Sequence, residues 1–267
     1  MKITVCIPSR GRPLGLALSI VAMDQKASGE NDVRYVIGCD ADDDATISAS
    51  LELWKCGLPI VVRVAPRPAS LGGLVNRLAL KAPADVYCSL GDDVRVLTDG
   101  WDTRIAEAWQ ADPAGIWWWC AQNDSTFAIV SERWRAAAGR IFTDYFPYWY
   151  DDLWLVELQR YVTGKRGDRL DIWLQDRARG THRMRDLAFW DRFFWSRRDE
   201  RRAHAREIAE RLGLPTVVAM DWLDIAPNQN FAPDEIEAKE GDRSPPTPEY
   251  LGALVRAQAM MQQKEAA

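Results

Sequence analysis

Val86-Tyr87-Cys88-Ser89-Leu90-Gly91-Asp92-Asp93 is the stretch on which the reading of this chain turns. A short apolar run stops at a glycine and two adjacent carboxylates. In an α/β protein the carboxyl ends of parallel strands form the rim where ligands bind. Two aspartates at such an end repel each other, by about 4 kcal/mol at ~4 Å and an effective dielectric near 20. A divalent cation carrying a diphosphate turns that repulsion into attraction. An acidic turn after a strand is the competing reading. The rest of the chain has to separate them.

Upstream, apolar runs alternate with helical spacing, which predicts an α/β domain with a mainly parallel sheet flanked by helices. Strands are expected at Ile3–Ile7, Val33–Cys39, Ile60–Val64 and Val86–Leu90. Helices are expected at Leu14–Met23, Ala45–Cys56 and Leu71–Ala82. Downstream the spacing predicts a helix at Trp101–Trp109, strands at Gly115–Ala121 and Phe127–Val130, and a helix through Ala138 with Ser131 as its N-cap. An aromatic loop, Tyr145–Tyr150, precedes a helix at Asp152–Val162 and a strand at Leu170–Leu174. A helix from Arg198 to Leu212, an apolar run at Thr216–Met220, a Pro- and charge-rich loop at Asn228–Pro248 and a terminal helix complete the chain.

With 267 residues, 47% of them hydrophobic, the chain can bury a core without disulfide or metal staples. Five scattered cysteines lack metal-ligand spacing, and they read as reduced, mostly buried thiols. No signal peptide and no run of 18 apolar residues is visible, so a cytoplasmic protein without a transmembrane segment is expected. The net charge of −5 is unevenly spread: Arg160–Arg211 holds 15 Lys/Arg against 9 Asp/Glu. An acidic lobe beside a basic surface is the implied charge distribution.

Other strand ends carry chemistry too. Pro8-Ser9-Arg10-Gly11-Arg12-Pro13 sets two arginines around a glycine before a helix, where guanidinium forks and helix amides both suit phosphate oxygens. An ordinary turn with solvated arginines is the alternative. Asp40-Ala41-Asp42-Asp43-Asp44 closes the second strand. Asp40 can accept from a base imide or ribose hydroxyls, whereas Asp43 and Asp44 suit a helix N-terminus, worth ~0.3–1 kcal/mol each. Gly72-Gly73-Leu74-Val75-Asn76-Arg77 opens the next helix; its glycines permit close backbone approach, and Asn76 or Arg77 can face a nucleotide sugar.

In this order the features resemble the GT-A glycosyltransferases of the family 2 type. The matching residues are Pro8, Asp40, Asn76-Arg77 and Gly91-Asp92-Asp93, then Gly139-Arg140-Ile141-Phe142 and Tyr150-Asp151-Asp152-Leu153. The resemblance implies a GT-A-like domain that moves a sugar from a nucleotide-diphosphate sugar, a UDP-sugar first, to an acceptor hydroxyl, with inversion. It implies Mn²⁺ or Mg²⁺ at Asp93, with Asp92 on ribose or metal. Gly91 departs from the acidic first position of the family's Asp-x-Asp motif. Arg10, Arg12 and Asp40 would hold the nucleotide. Asp152 corresponds to the general base, a role that contributes about 10²–10⁴-fold, with Asp151 beside it as a helix cap or catalytic partner. His182 corresponds to a histidine that completes the metal shell in some members. His204, in an Arg-rich helix, reads as solvated.

The resemblance covers about residues 3–183 and implies a catalytic domain at 1–183. Its nucleotide-sugar half is about 1–100 and its acceptor half about 101–183. The remainder, 184–267, is expected to be an Arg/aromatic-rich helical extension packed on it. Segment 177–206 interleaves arginines with Phe189, Trp190, Phe193, Phe194 and Trp195. Basic groups track phosphates and rings stack on bases, so a DNA acceptor such as a hydroxymethylated base is one expectation. A packing helix is the other reading of the same segment. A glycan or lipid-linked acceptor, a nucleotidyltransferase and a non-catalytic nucleotide- or glycan-binding module remain the alternatives.

Overall fold

The computed structural model describes residues 1–120, 127–148, 150–165, 167–176, 185–215 and 245–265. The first half runs β1 (Lys2–Ser9), α1 (Pro13–Lys26), β2 (Asp32–Asp40), α2 (Asp44–Lys55), β3 (Ile60–Ala65), α3 (Leu71–Ala79) and β4 (Val86–Ser89). There follow a three-residue β5 (Val94–Val96), α4 (Trp101–Ala111), β6 (Ile116–Cys120), β7 (Ala128–Ser131), α5 (Glu132–Ala138), α6 (Asp151–Thr163) and β8 (Arg169–Asp176). The last helices are α7 (Leu187–Ser196), α8 (Arg198–Leu212) and α9 (Pro248–Glu265). Short β5 is an addition to the expected elements, and α7 answers to the packing-helix reading of the Arg/aromatic segment.

The eight strands lie in the order β3-β2-β1-β4-β7-β6-β8-β5. Pairing is parallel from β3 through β4, as the βα alternation predicts. The far half is mixed: β7 runs antiparallel to β4 and β6, β8 is parallel to β6, and β5 is antiparallel to β8. The reason for the first reversal is length. Only residues 121–127 join β6 to β7, far fewer than the dozen or so a parallel crossover needs.

Side chains alternate across the sheet and divide the core into two clusters. Ile3, Val5, Ile7, Tyr35, Ile37, Cys88, Trp117 and Trp119 face α1, α2 and α4. Cys6, Val36, Tyr87, Trp118 and Val130 face α3 and α5–α9. The tryptophan run is therefore core, split between the two faces, and Trp118 Nε1 donates to Gln159 Oε1 at 3.2 Å.

The Arg/aromatic segment resolves toward packing. Leu187, Trp190, Phe193 and Phe194 recur at helical spacing and are all buried on the α6 side of the sheet. Arg201 is also buried. It pairs with Glu157, and its guanidinium lies 3.8 Å above the Phe194 ring. Trp190, Phe193 and Phe194 line the core and cannot stack on bases, whereas Phe189 and Trp195 are only partly buried. Residues 177–184, with Arg177, Arg179, His182 and Arg183, lie outside the described residues, as do Thr216–Met220 and most of the Pro-rich loop.

Two smaller readings also change. His204 is half-buried, with Nε2 2.9 Å from the Ala138 carbonyl, and burial lowers its pKa below the usual histidine value. Cys56 is exposed at the end of α2, whereas Cys6, Cys39 and Cys88 are buried. Among the described residues no helix is long and apolar enough to cross a membrane.

Candidate functional site

The sheet order reverses at β1, which has β2 on one side and β4 on the other. Such a switch point opens a crevice beyond the carboxyl ends of the strands. Ser9 ends β1, and its hydroxyl donates to Asp92 Oδ2 at 2.7 Å just past β4. Gly11, at φ +66°, turns the chain toward α1, a conformation that favours glycine. Arg12 then stands at the N-cap and Pro13 opens the helix, where a missing N–H costs nothing.

The acidic pair converges on one point. Arg12 Nη1 donates to Asp92 Oδ1 at 3.2 Å and also to Asp93 Oδ2. Asp92 is only 6% exposed. Burial pushes its carboxyl above the usual carboxylate range, with Asp93 adding to the rise, while Ser9 and Arg12 oppose it. Two carboxylate oxygens sharing one cationic nitrogen form a pocket for positive charge, and hard oxygen donors suit Mg²⁺ or Mn²⁺. Among the described residues no group of three or more His, Cys, Asp or Glu is arranged to hold a metal. Two carboxylates alone would leave most of a cation's shell to other oxygen donors, such as water or substrate phosphates. His182, the expected further ligand, lies outside the described residues.

Beside this pair lies a recess of about 180 Å³ lined by Pro8, Arg10, Asp40, Arg67 and Tyr148 among others. Arg10 Nη1 reaches Asp40 Oδ2 at 2.7 Å and Asp42 Oδ1 at 2.5 Å. The Arg10 hydrogen bond pulls the Asp42 carboxyl down to about 2. Asp43 caps α2 by accepting from Thr46 N, and it also accepts from Gly11 N at 2.6 Å, tying the first turn to the second. Asp40 remains at the floor, buried and facing the recess.

A second, adjoining cavity of about 300 Å³ holds all four acids: Asp92, Asp93, Asp151 and Asp152. Its apolar walls include Leu71, Val75, Phe127 and Phe142. Asp151 and Asp152 form the first turn of α6, where the helix dipole favours negative charge. Asp151 is buried; its Oδ2 accepts from Gly72 N at 3.1 Å, and its Oδ1 has no hydrogen-bond partner among the described residues. Burial, then the neighbouring Asp152, raise its pKa well above the carboxylate value. Asp152 is less buried, and its Oδ1 accepts from Leu153 N at 2.9 Å.

The raised Asp151 carboxyl has a consequence for stability. A folded-state pKa above the unfolded value means that the folded protein binds this proton more tightly. The group's contribution therefore declines as pH rises from the unfolded carboxylate range toward the folded pKa. Asp151→Asn removes that penalty. Its melting temperature should exceed the parent's near pH 8, and the gap should shrink toward about pH 4. Thermal melts at the two pH values check this; a gap independent of pH would exclude the cause given.

Pro8, Arg10, Arg12, Asp40, Asp92, Asp93, Asp151 and Asp152 thus line one continuous cleft. Asn76 and Arg77 line neither cavity. Asn76, expected at the sugar, braces the loop after α5: Oδ1 accepts from Ile141 N and Phe142 N, and Nδ2 donates to the Phe142 carbonyl. Its position one helical turn inside α3 turns it toward that loop. Arg77 is exposed on α3; partial desolvation, then the like charge of Arg63, lower its pKa, and Asp144 opposes them. Arg67 and Tyr148, which hydrogen bond at 3.1 Å, join the site from the third strand end and the aromatic loop. Arg67 carries the same strand-end signal as Arg10 and Asp40, two residues beyond β3.

No protein family's sequence profile matches the chain, and no curated protein sequence does. Solved structures do. S. aureus TarS 1–349 in complex with UDP-GlcNAc has a TM-score of 0.60 and 13% identity over 100% of this chain and 83% of that one. The complex of the same protein with UDP gives 0.61 at 11% identity, over 99% and 81%. Mannosyltransferase PcManGT from Pyrobaculum calidifontis, in complex with GDP-Man and Mn²⁺, gives 0.57 at 14% identity, over 99% and 79%. The chain therefore has the GT-A-like α/β fold of nucleotide-sugar transferases.

Proposed function

We propose that this cleft binds a nucleotide-diphosphate sugar, a UDP-sugar in the first instance, and transfers the sugar to an acceptor hydroxyl. The observation that carries the reading is the meeting of Asp92–Asp93 and Asp151–Asp152 in one cavity, next to the Arg10/Asp40 recess. The neighbours crystallised with UDP-GlcNAc and with GDP-Man support it. The nucleoside would lie against Asp40, Arg67 and Tyr148, and the diphosphate against Arg12 and the N-terminal turn of α1.

Asp93 and Asp92, with His182, would hold Mn²⁺ or Mg²⁺. When bound, the cation supplies positive charge that stabilises the departing diphosphate. Arg12 Nη1 pairs with both the Asp92 and Asp93 carboxylates and would have to yield oxygens to a bound cation. Asp152 accepts the proton of the acceptor hydroxyl as that oxygen bonds to the anomeric carbon. The anomeric C–O bond breaks and its electron pair leaves with the nucleoside diphosphate, which inverts the anomeric centre. The apolar walls at Val75, Phe127 and Phe142 exclude water from the exchange.

The acceptor reading narrows. A hydroxymethylated base in DNA would be gripped mainly by arginines, because Trp190, Phe193 and Phe194 are core and Phe189 and Trp195 are only partly exposed. Such binding would weaken steeply between ~50 and 200 mM salt; salt-independent binding would count against it.

The test of donor binding is a thermal-shift series of nucleotide sugars with and without Mn²⁺. A donor at 100 times its dissociation constant adds ~2.7 kcal/mol, enough to raise the melting temperature by several degrees. A UDP-sugar that does so, more strongly with Mn²⁺, is the expected result. No shift with any nucleotide sugar would sink the proposal.

A further inference from the structure

Among the described residues only two other than glycine have positive φ: Tyr150, at 72°, and Asp186, at 52°. Each stands at the N-cap of a helix, α6 and α7 respectively, and neither makes a side-chain cap bond. A left-handed backbone at a bulky residue persists only where its surroundings over-determine it, and such residues gather at functional sites.

The surroundings of Tyr150 come from the C-terminal helices. Its ring is 2% exposed and packs 5.2 Å from Phe194 and 5.4 Å from Phe146, centroid to centroid. Its hydroxyl donates to Asp191 Oδ1 at 3.2 Å. Asp191 lies on α7 and is itself 2% exposed. The next residue back, Trp190, donates through Nε1 to the Tyr250 hydroxyl at 3.0 Å, and that hydroxyl donates to Asp186 Oδ2 at 2.8 Å. A continuous series of contacts thus runs from α9 through both ends of the strained pair to the residue before Asp151.

We propose that Tyr150 and Asp191 are positioning residues: α7, through Asp191, locks the left-handed turn that opens α6 and so aims Asp152 into the cleft. The sequence downstream of residue 184 then belongs to the catalytic machinery by buttressing it. Asp191 is a buried carboxylate in an aromatic core, with Tyr150 and Trp195 as its hydrogen-bonding neighbours, and the bond to Tyr150 ties it to this turn. The inference rests on the proposed transfer reaction with Asp152 as base.

Tyr150→Phe keeps the ring and removes only the hydroxyl. It is expected to lower kcat by about 10- to 100-fold, since a misplacement of about 1 Å at a catalytic group costs up to about 10². The donor KM should stay within about twofold, because Tyr150 lines neither the nucleotide recess nor the cavity beside it. Asp191→Asn retains an oxygen that can accept from Tyr150 and should keep most of the activity; Asp191→Leu should lose as much as Tyr150→Phe. All variants are assayed well below their own melting temperatures, with Asp152→Asn alongside. Unchanged kcat in Tyr150→Phe, or equal rates in the two Asp191 variants, overturns the inference while Asp152→Asn remains inactive. Turnover retained by Asp152→Asn as well overturns the base assignment itself.

Discussion

Asp152→Asn is expected to abolish sugar transfer, lowering kcat by about 10²–10⁴-fold, or roughly 2.7–5.4 kcal/mol of transition-state stabilisation. Asparagine preserves the shape and the oxygen that accepts from Leu153 N, so α6 should begin as before. What it lacks is the basicity to take a proton from an attacking hydroxyl. The neighbouring acid is a poor substitute. Asp151 is buried, its Oδ2 is engaged by Gly72 N, and burial raises its pKa well above the carboxylate value. Nucleotide affinity should stay within about twofold, since Asp152 does not line the Arg10/Asp40 recess. Steady-state rates and donor titrations on the same preparation decide the matter. Full turnover by this variant would move the base elsewhere.

Gly72→Ala is expected to damage both stability and activity, while Gly73→Ala, one residue on, is not. A Cβ at Gly72 would lie 2.2 Å from the Thr143 carbonyl oxygen and 2.7 Å from Asp151 Oδ2. The carbonyl is backbone and cannot rotate away, so the loop before α6 must move and carry the acids with it. Overpacking of this kind costs about 1–3 kcal/mol and occasionally more. The bond from Gly72 N to Asp151 is strained as well, and a lost hydrogen bond to a charged or buried group adds ~1–3 kcal/mol. At Gly73 the nearest atom to a new Cβ is 3.4 Å away, which is ordinary contact. There the higher helix propensity of alanine, about 0.8–1 kcal/mol, should show as an unchanged or raised stability. Denaturant midpoints of the two variants, with transfer rates, test the contrast. Similar midpoints for both would exclude the close approach of α3 to the α6 turn.

The glycine pair illustrates how far the sequence reaches. Gly72-Gly73 before a helix signals close backbone approach, but the partner, Thr143 and Asp151, is about 70 residues away in the chain and emerges only on folding. Strand ends were legible for a simpler reason. A short apolar run that stops at polar residues marks a strand end, and Pro8-Ser9, Asp40 and Asp92 each stand at such a stop. Arg67 obeys the same rule after β3 and can be found by it. Asn76 could not be placed this way, because its destination depends on which face of α3 packs on the 141–142 loop.

The C-terminal third shows the opposite case. Leu187, Trp190, Phe193 and Phe194 have helical spacing, yet the arginines between them suit a nucleic-acid surface equally well. Burial decided it, and burial depends on what stands opposite. Phe146, Tyr150 and Trp154 from α6 and its preceding loop supply the partners. Local pattern therefore determined the α/β alternation, the first four parallel strands and the acids at their ends, since each depends on periodicity and on residues adjacent in the chain. Tertiary structure alone decided the mixed half of the sheet, the union of Asp92–Asp93 with Asp151–Asp152, and the bracing of Tyr150 by Asp191. Apart from the short β6–β7 hairpin, those are contacts across about 40 to 80 residues, fixed by how faces pack rather than by any signal a local stretch carries.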